Sequence, residues 1–422
     1  MHMRGAPPSG IRTHTAMALC WAGTRTLLLL WVFKVVVMPG PDVTSDVSVI
    51  YQGWYETLGD GHFPEGDVAW QYPPAAALAI LSPALLPFLG YAEAFFVLAL
   101  LTDAVVTALL VRAGRGPGRS PRGAWVWVAG VPLLGPTAYA RYDLMVTALA
   151  VAALLAGARR PAPLGVFAAL GALVKVWPAL TLLGTERGRV TRTSWLTAAA
   201  TGLGLLPAFA LAMPGSLDFL GAQRERGTEV ESLGALVFHV ARHYGWSGRI
   251  ELHYGSMEFL GPHVGLVSTL AQVLSLLALG WLVLWRLRAR HWSATTLPDA
   301  AFVAVLLFTT TSRVISPQYM IWLVGLAAVC LLHRASRMGV PALLVLAATL
   351  VTMLEFPMWF VHVVSSDARG LTLMFLRNGL LVLASVLAAR VLWRQTVTGP
   401  RDGGHRGLPR QTARGTEHTA PS

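Results

Sequence analysis

Apolar residues dominate stretches near twenty residues long at 16–38, 91–111, 264–287, 341–362 and 371–389, each with few charged positions. A run of that length crosses a ~30 Å hydrocarbon core as an α-helix. Other apolar stretches lie at 73–89, 164–183 and 194–213; after the last of these, five runs in all begin near His263, Pro298, Gln318, Val340 and Leu371, three of them among those already given. The pattern predicts an all-α integral membrane protein of about 11–12 hydrophobic segments, filling residues 1–394 as one polytopic domain. From Gln395 the chain turns rich in Arg, Gly and Thr. A disordered basic cytoplasmic tail over 395–422 is expected there. Neither an internal repeat nor the two-halves symmetry common in transporters is visible.

Composition agrees with the pattern. The 422 residues are 55% hydrophobic and 13% charged, where a soluble enzyme is about a quarter charged. The formal charge of +12, from 33 basic and 21 acidic residues, would suggest nucleic acid in a soluble protein. Its distribution gives another reason. Basic clusters at Arg4 and Arg12, 112–122, 159–160, 187–192, 286–290, 334–337 and from Arg390 onward are all cytoplasmic by the positive-inside rule. No nucleic-acid partner is needed. Residues 39–72 show the reverse, with Asp42, Asp46, Glu56, Asp60, Glu65 and Asp67 and no Lys or Arg. They belong outside, in a first outer loop over 39–90, with a second long outer segment at 214–262.

Two apolar stretches then break the count of crossings. Residues 73–89 carry Pro73, Pro74, Pro83 and Pro87, which break or kink a helix, so this stretch is expected to lie along or dip into the outer face. Residues 164–183 run between two basic loops, with Lys175 and Pro178 near the centre. A broken pair of short helices turning near Lys175 restores parity, since interrupted helices are tolerated where they line a cavity. A plain twelve-span count also closes, but it puts the arginines of 112–122 and 159–160 outside.

No P-loop, dinucleotide fingerprint, HExxH or GxSxG motif is present. Cys20 and Cys330 sit in apolar runs and suggest neither a disulfide nor a metal site, and His239, His243 and His253 lack acidic partners at ligand spacing. No metal or other cofactor is expected. The informative stretches are polar ones beside apolar ones. Asp46 to Tyr51 follows the first helix, and Trp70-Gln71-Tyr72-Pro73-Pro74 opens the proline-rich stretch. A carboxylate at the water–lipid boundary under aromatics could take a proton from a hydroxyl. Arg141-Tyr142-Asp143, Lys175 and Arg313 put charge where lipid would oppose it, at about 2.5–3.5 kcal/mol each on insertion scales. Arg313 leads into Ser316-Pro317-Gln318-Tyr319. The plain alternative is an Arg141–Asp143 pair with Lys175 and Arg313 snorkelling. Arg224 and Arg226, in a polar cluster over 223–232, could bind a phosphate through bidentate guanidinium contacts, or could form a solvated turn.

These residues resemble the polyprenol-phosphate-sugar-dependent glycosyltransferases with the multi-spanning GT-C fold, most closely glycosyltransferase family 87, the actinobacterial α-mannosyltransferases of lipid glycans. The matching pieces are Asp46 to Tyr51, Trp70 to Pro74, Gly171 to Pro178, Glu231 to Leu233 and Ser316 to Trp322, in order over about two-thirds of the chain. The resemblance implies a GT-C fold with a membrane-parallel helix in the first outer loop. It implies that Asp46 is the general base, and that mannose moves with inversion from a polyprenyl phosphate to a lipid-linked or glycan hydroxyl. Tyr51, Tyr72, Arg141, Asp143, Lys175, Arg224, Arg226, Arg313, Gln318 and Tyr319 are the candidate substrate-binding residues, with Lys175 and Arg313 expected on the leaving phosphate. Where many relatives carry Gly-Gln-x-Asn, this chain has Ala140 to Asp143 with a charged pair, which bears on the acceptor. The expected location is the cell membrane, multi-pass, with the active site on the extracytoplasmic side and membrane lipids as surroundings. The alternatives from other classes are a secondary transporter and a lipid-binding membrane scaffold.

Overall fold

A computed structural model describes residues 9–219 and 227–399. Arg224, Arg226 and most of the 395–422 tail lie outside the described residues. In chain order, α1 (Ser9–Val32), α2 (Gln52–Gly59) and α3 (Ala76–Leu81) precede α4 (Tyr91–Ala113), α5 (Arg122–Leu133), α6 (Asp143–Gly157), α7 (Pro161–Val174) and α8 (Arg189–Ala212). The stretch 214–262 holds β1 (Thr228–Glu229), α9 (Ala235–Ala241), β2 (Arg249–His253) and β3 (Ser256–Leu260). Then follow α10 (Val264–Arg288), α11 (Thr296–Thr311), α12 (Tyr319–Leu331), α13 (Gly339–Met353), α14 (Phe360–Ser365) and α15 (Ala368–Thr396). Among the described residues, six helices are long and apolar enough to cross a membrane: α1, α4, α8, α10, α15, and α13 with its continuation to Met358. The protein is an all-α, multi-span membrane protein.

Burial separates the helices into a centre and a rim. Every residue from Ala300 to Leu306 and from Met320 to Cys330 is buried, so α11 and α12 are apolar all round and packed all round. In α8 only Ser194 is buried, while Trp195, Leu196, Leu203 and Leu211 are exposed. The leucines at 266, 270, 274, 277 and 284 make a similar exposed face on α10. Such faces fit hydrocarbon rather than water.

The charges that interrupt the long runs are paired. Arg25 Nε donates to Asp103 Oδ2 at 2.6 Å, and Trp21, Trp127 and Tyr139 also donate to that carboxylate. A buried ion needs a partner plus hydrogen bonds for its remaining lone pairs, and Asp103 has both.

Both parity problems resolve as chain breaks. After α7 the backbone turns extended at Lys175 (φ −149°, ψ 135°) and returns as a 3₁₀ segment, Trp177–Gly184. Pro178 supplies no N–H and disfavours helix at the residue before it. The two arms run side by side, because a side chain at Gly171 would meet Pro178 at 2.8 Å. Leu182 near the end of the second arm packs with Leu164 and Ala168 near the start of the first. The pair enters and leaves at one end. In the proline-rich stretch, α3 and a 3₁₀ turn (Ser82–Leu85) make a ten-residue apolar piece too short to span. It hangs on the break through Ala75 N donating to Leu173 O, and Tyr91 Oη donates to Ile80 O.

The basic loops gather at the other end of the body. Arg119 touches His333 at 2.5 Å, Arg334 N donates to Gly118 O, Arg286 donates to Leu183 O and Thr185 O, and Arg290 N donates to Thr396 O. Lys175 and the acidic loop after α1 lie away from all of them.

The stretch 214–262 contains an antiparallel sheet of order β1-β3-β2, which hydropathy did not announce. Val230, Phe238 and Phe259 form a small core there with Val363 and Met374. Within it His239 Nε2–H donates to Val230 O at 2.8 Å, and Nδ1 accepts from Ser366 Oγ at 2.7 Å, whose oxygen in turn accepts from Arg242. Burial pulls the His239 pKa down from 6.5 to about 4, against the Val230 bond that raises it and with nearby Arg242 lowering it further. Between those values the unfolded chain binds the extra proton, so this contribution is present above pH 6.5 and is lost as pH falls toward 4. At most it is about 3 kcal/mol. Hydrogen exchange over 228–260 should therefore speed up from pH 7 to 4.5 (after correction for intrinsic rates), and His239→Gln should flatten the change. An equal acceleration in that variant would refute the assignment.

Candidate active site

The acidic loop after α1 carries a π-type turn, Asp46–Tyr51, that continues into α2. Asp46 Oδ2 meets Arg141 Nη2 at 2.5 Å, and the Asp46 side chain keeps a third of its surface exposed. Arg141 is buried, and its Nη1 donates to Val43 O (3.1 Å) and Ala140 O (2.8 Å). The guanidinium thus fixes the carboxylate from behind and leaves it open toward the loop.

Beside this pair lies a second one. Asp143, in the first turn of α6, accepts at Oδ1 from Lys175 Nζ (2.6 Å) and from Trp322 Nε1 (2.7 Å). Its Oδ2 is buried with no hydrogen-bond partner among the described residues. The ammonium of Lys175 lies 5.1–5.8 Å from the ring centroids of Tyr142, Trp322, Tyr72 and Tyr319. Cation–π attraction at such distances contributes about 0.5–2 kcal/mol per ring. Arg141 and Asp143 are neighbours in sequence, yet each ion-pairs across the fold, with Asp46 and Lys175 respectively.

Aromatic contacts join the two pairs. Tyr51 stacks on Trp54 at 5.6 Å and reaches Tyr142 at 5.7 Å; Tyr142 meets Tyr72 at 5.3 Å. On the far side Tyr319 stacks on Trp322 at 4.0 Å, and Trp322 on Trp177 at 5.2 Å. Burial pushes the Tyr51 phenol up, with Arg141 opposing, so it stays a neutral donor. Along 46–59 the helical spacing puts Asp46, Ile50, Gly53 and Thr57 near one face. The last three line an open groove of about 670 Å³ with His62, Glu65 and Asp67.

Gln318 caps α12 just before Tyr319. Arg313, at the start of the same turn, donates to Ser268 Oγ at 3.4 Å and is half-buried. The turn itself is held by a residue the sequence reading did not single out. Glu229, buried in β1, accepts from Ile315 N at 2.6 Å and from Ser316 Oγ at 3.0 Å, while its own N–H donates to Arg313 O. Its place in the polar cluster at 223–232, just before the apolar Leu233, was the available signal. Tyr142, Trp177 and Trp322 stand inside the sequence motifs, and only the fold brings their rings to Lys175 and to one another. Glu229→Ala would strand a buried N–H and release this turn. With hydrogen bonds to charged groups at about 1.5–3 kcal/mol, transfer activity should fall roughly tenfold or more, with Glu229→Gln retaining most of it. Unchanged kinetics in the alanine variant would remove Glu229 from this positioning role.

The profile of glycosyltransferase family 87 matches residues 70–317. Comparison with curated proteins and with solved structures finds no significant match. The matched range starts at Trp70, past Asp46 and Tyr51, and ends at Pro317, one residue before Gln318. It takes in the Arg141 and Asp143 segment, the broken pair at Lys175, the outer sheet with Glu229, and Arg313. A match over more than half of a chain built this way supports a transferase over a transporter or a scaffold. The chain belongs to glycosyltransferase family 87, and it is a membrane glycosyltransferase.

Proposed function

We propose that the protein transfers a sugar, mannose by its resemblance to the α-mannosyltransferases of its family, from a polyprenyl phosphate to a hydroxyl of a lipid-linked or glycan acceptor. The observation that carries this reading is the partly exposed Asp46, ion-paired with buried Arg141, set beside the buried Asp143–Lys175 pair. Asp46 takes the acceptor's proton as the acceptor oxygen bonds to the anomeric carbon. The bond from that carbon to the phosphate oxygen breaks on the opposite face, with inversion, and polyprenyl phosphate leaves with the electron pair. Lys175 and Arg313 meet the charge that develops on the phosphate, with Arg141 orienting the base. Asp143 Oδ2, without a partner among the described residues, is suited to accept from a sugar hydroxyl.

The basic loops gather at one end of the body and these pairs lie at the other. Under the positive-inside rule this supports a site on the outer face of the cytoplasmic membrane. The test is transfer of labelled mannose from polyprenyl-phosphate mannose in membranes holding the full chain. Label should reach an acceptor glycolipid with inversion. Transfer from a nucleotide sugar alone, or none from the lipid donor, would refute the donor assignment.

A further inference from the structure

Beyond the sugar-transfer reading, and at the opposite end of the molecule from it, α10, α11 and α15 leave a second open groove of about 340 Å³. Its wall is apolar, built from Trp281, Leu307, Val386 and Ala389, with Arg390 and Arg394 beside Trp393. On α15 the residues 386, 389, 390, 393 and 394 recur at helical spacing and so share one face. From Ser385 to Arg394 that face rises about 14 Å, running from the interior of the span to the basic end. The Trp281 and Trp393 rings lie 6.1 Å apart at 37°, at the level where tryptophan favours the membrane interface.

Three other arginines at this end are held by the protein. Arg286 is bound to two backbone carbonyls, Arg334 Nε donates to Arg119 O, and Arg119 contacts His333. Arg390 and Arg394 are exposed, and their side chains make no ion pair or hydrogen bond among the described residues. Two uncommitted cations over an apolar slot that opens toward hydrocarbon call for an amphiphile with negative charge at its head. The chain's own continuation is a poor occupant, because residues 400–422 are few in apolar side chains and carry Arg401, Arg406, Arg410 and Arg414. Like charge would oppose it. A zwitterionic lipid would bring an ammonium against the arginines.

We propose that this groove seats an anionic phospholipid of the leaflet at the basic end. Its phosphate lies between Arg390 and Arg394, and one acyl chain runs along Val386, Ser385 and Leu307. The full-length protein, purified in mild detergent, is mixed with phosphatidylglycerol or phosphatidylethanolamine, and retained lipid is read by native mass spectrometry. Phosphatidylglycerol should be kept in preference. Arg390→Gln with Arg394→Gln should weaken its retention roughly thirtyfold, at about 1 kcal/mol for each arginine near the surface. Arg337→Gln, an exposed arginine at the same end, should change it little. Ala389→Trp, which fills the slot without touching charge, should also release the lipid. Unfolding midpoints measured without lipid report whether each variant is folded. Equal retention of the two lipids, undiminished retention by the double arginine variant, or full retention by a folded Ala389→Trp would each overturn the proposal.

Discussion

Asp46→Asn should reduce sugar transfer by about 10²–10⁴, the span attributed to a positioned general base, while leaving the protein folded and able to bind donor. The substitution keeps the volume and removes the proton acceptor. Arg141 would lose its carboxylate but keep two backbone carbonyls as acceptors, from Val43 and Ala140. Asp46 sits in a partly exposed turn and supports little of the core. A large loss of rate without a loss of protein is therefore the specific expectation. Rates measured with labelled polyprenyl-phosphate mannose, alongside protection of the chain from proteolysis by the donor, separate chemistry from binding. Transfer within a few-fold of the parent protein would sink Asp46 as base. Asp42 is the natural control, because it hydrogen-bonds Thr44 and pairs with exposed Lys34. Asp42→Asn should change the rate little.

How much of this arrangement was legible in the sequence depends on which physical signal each piece left. The break at Lys175 was legible because one apolar run lay between two arginine loops, and only a turn inside it kept both on one side. The acidic first loop was legible by the absence of any Lys or Arg over 39–72. Pairing was harder. Arg25 and Asp103 each interrupt an apolar run, and nothing local says that helices so far apart in sequence bring them together. Arg141 and Asp143 invited a local pair, and the fold crosses them over instead. The outer sheet escaped because its strands are two to five residues long and its core is borrowed from α14 and α15. Aromatic periodicity could locate Tyr319 and Trp322 on one helix, but only packing shows that their stack leans on Trp177 across the break.

Arg377→Met should cost about 3–5 kcal/mol, as expected when one member of a buried ion pair is removed and the other is left charged. Arg377, wholly buried in α15, donates to both oxygens of Glu355 at 2.8 and 3.2 Å and lies 3.6 Å from Glu231. Burial, together with Glu355 and Glu229, pushes the Glu231 carboxyl well above the usual carboxylate range, with Arg377 opposing. The carboxylate that loses both of its hydrogen bonds to Arg377 in the variant is that of Glu355. Adding Glu355→Gln to Arg377→Met should recover most of the unfolding midpoint, and a double-mutant cycle measures the coupling. No loss in the single variant, or no recovery in the double, would refute the pairing as a structural support. The effect should also reach the chemistry. Glu231 is two residues along the chain from Glu229, which holds Ile315 and Ser316, and that turn leads into Tyr319 and Trp322 against the Asp143–Lys175 pair. Activity per folded molecule should therefore fall in Arg377→Met and return with Glu355→Gln, because the same buried charge anchors both the last long helix and the turn beside the candidate site.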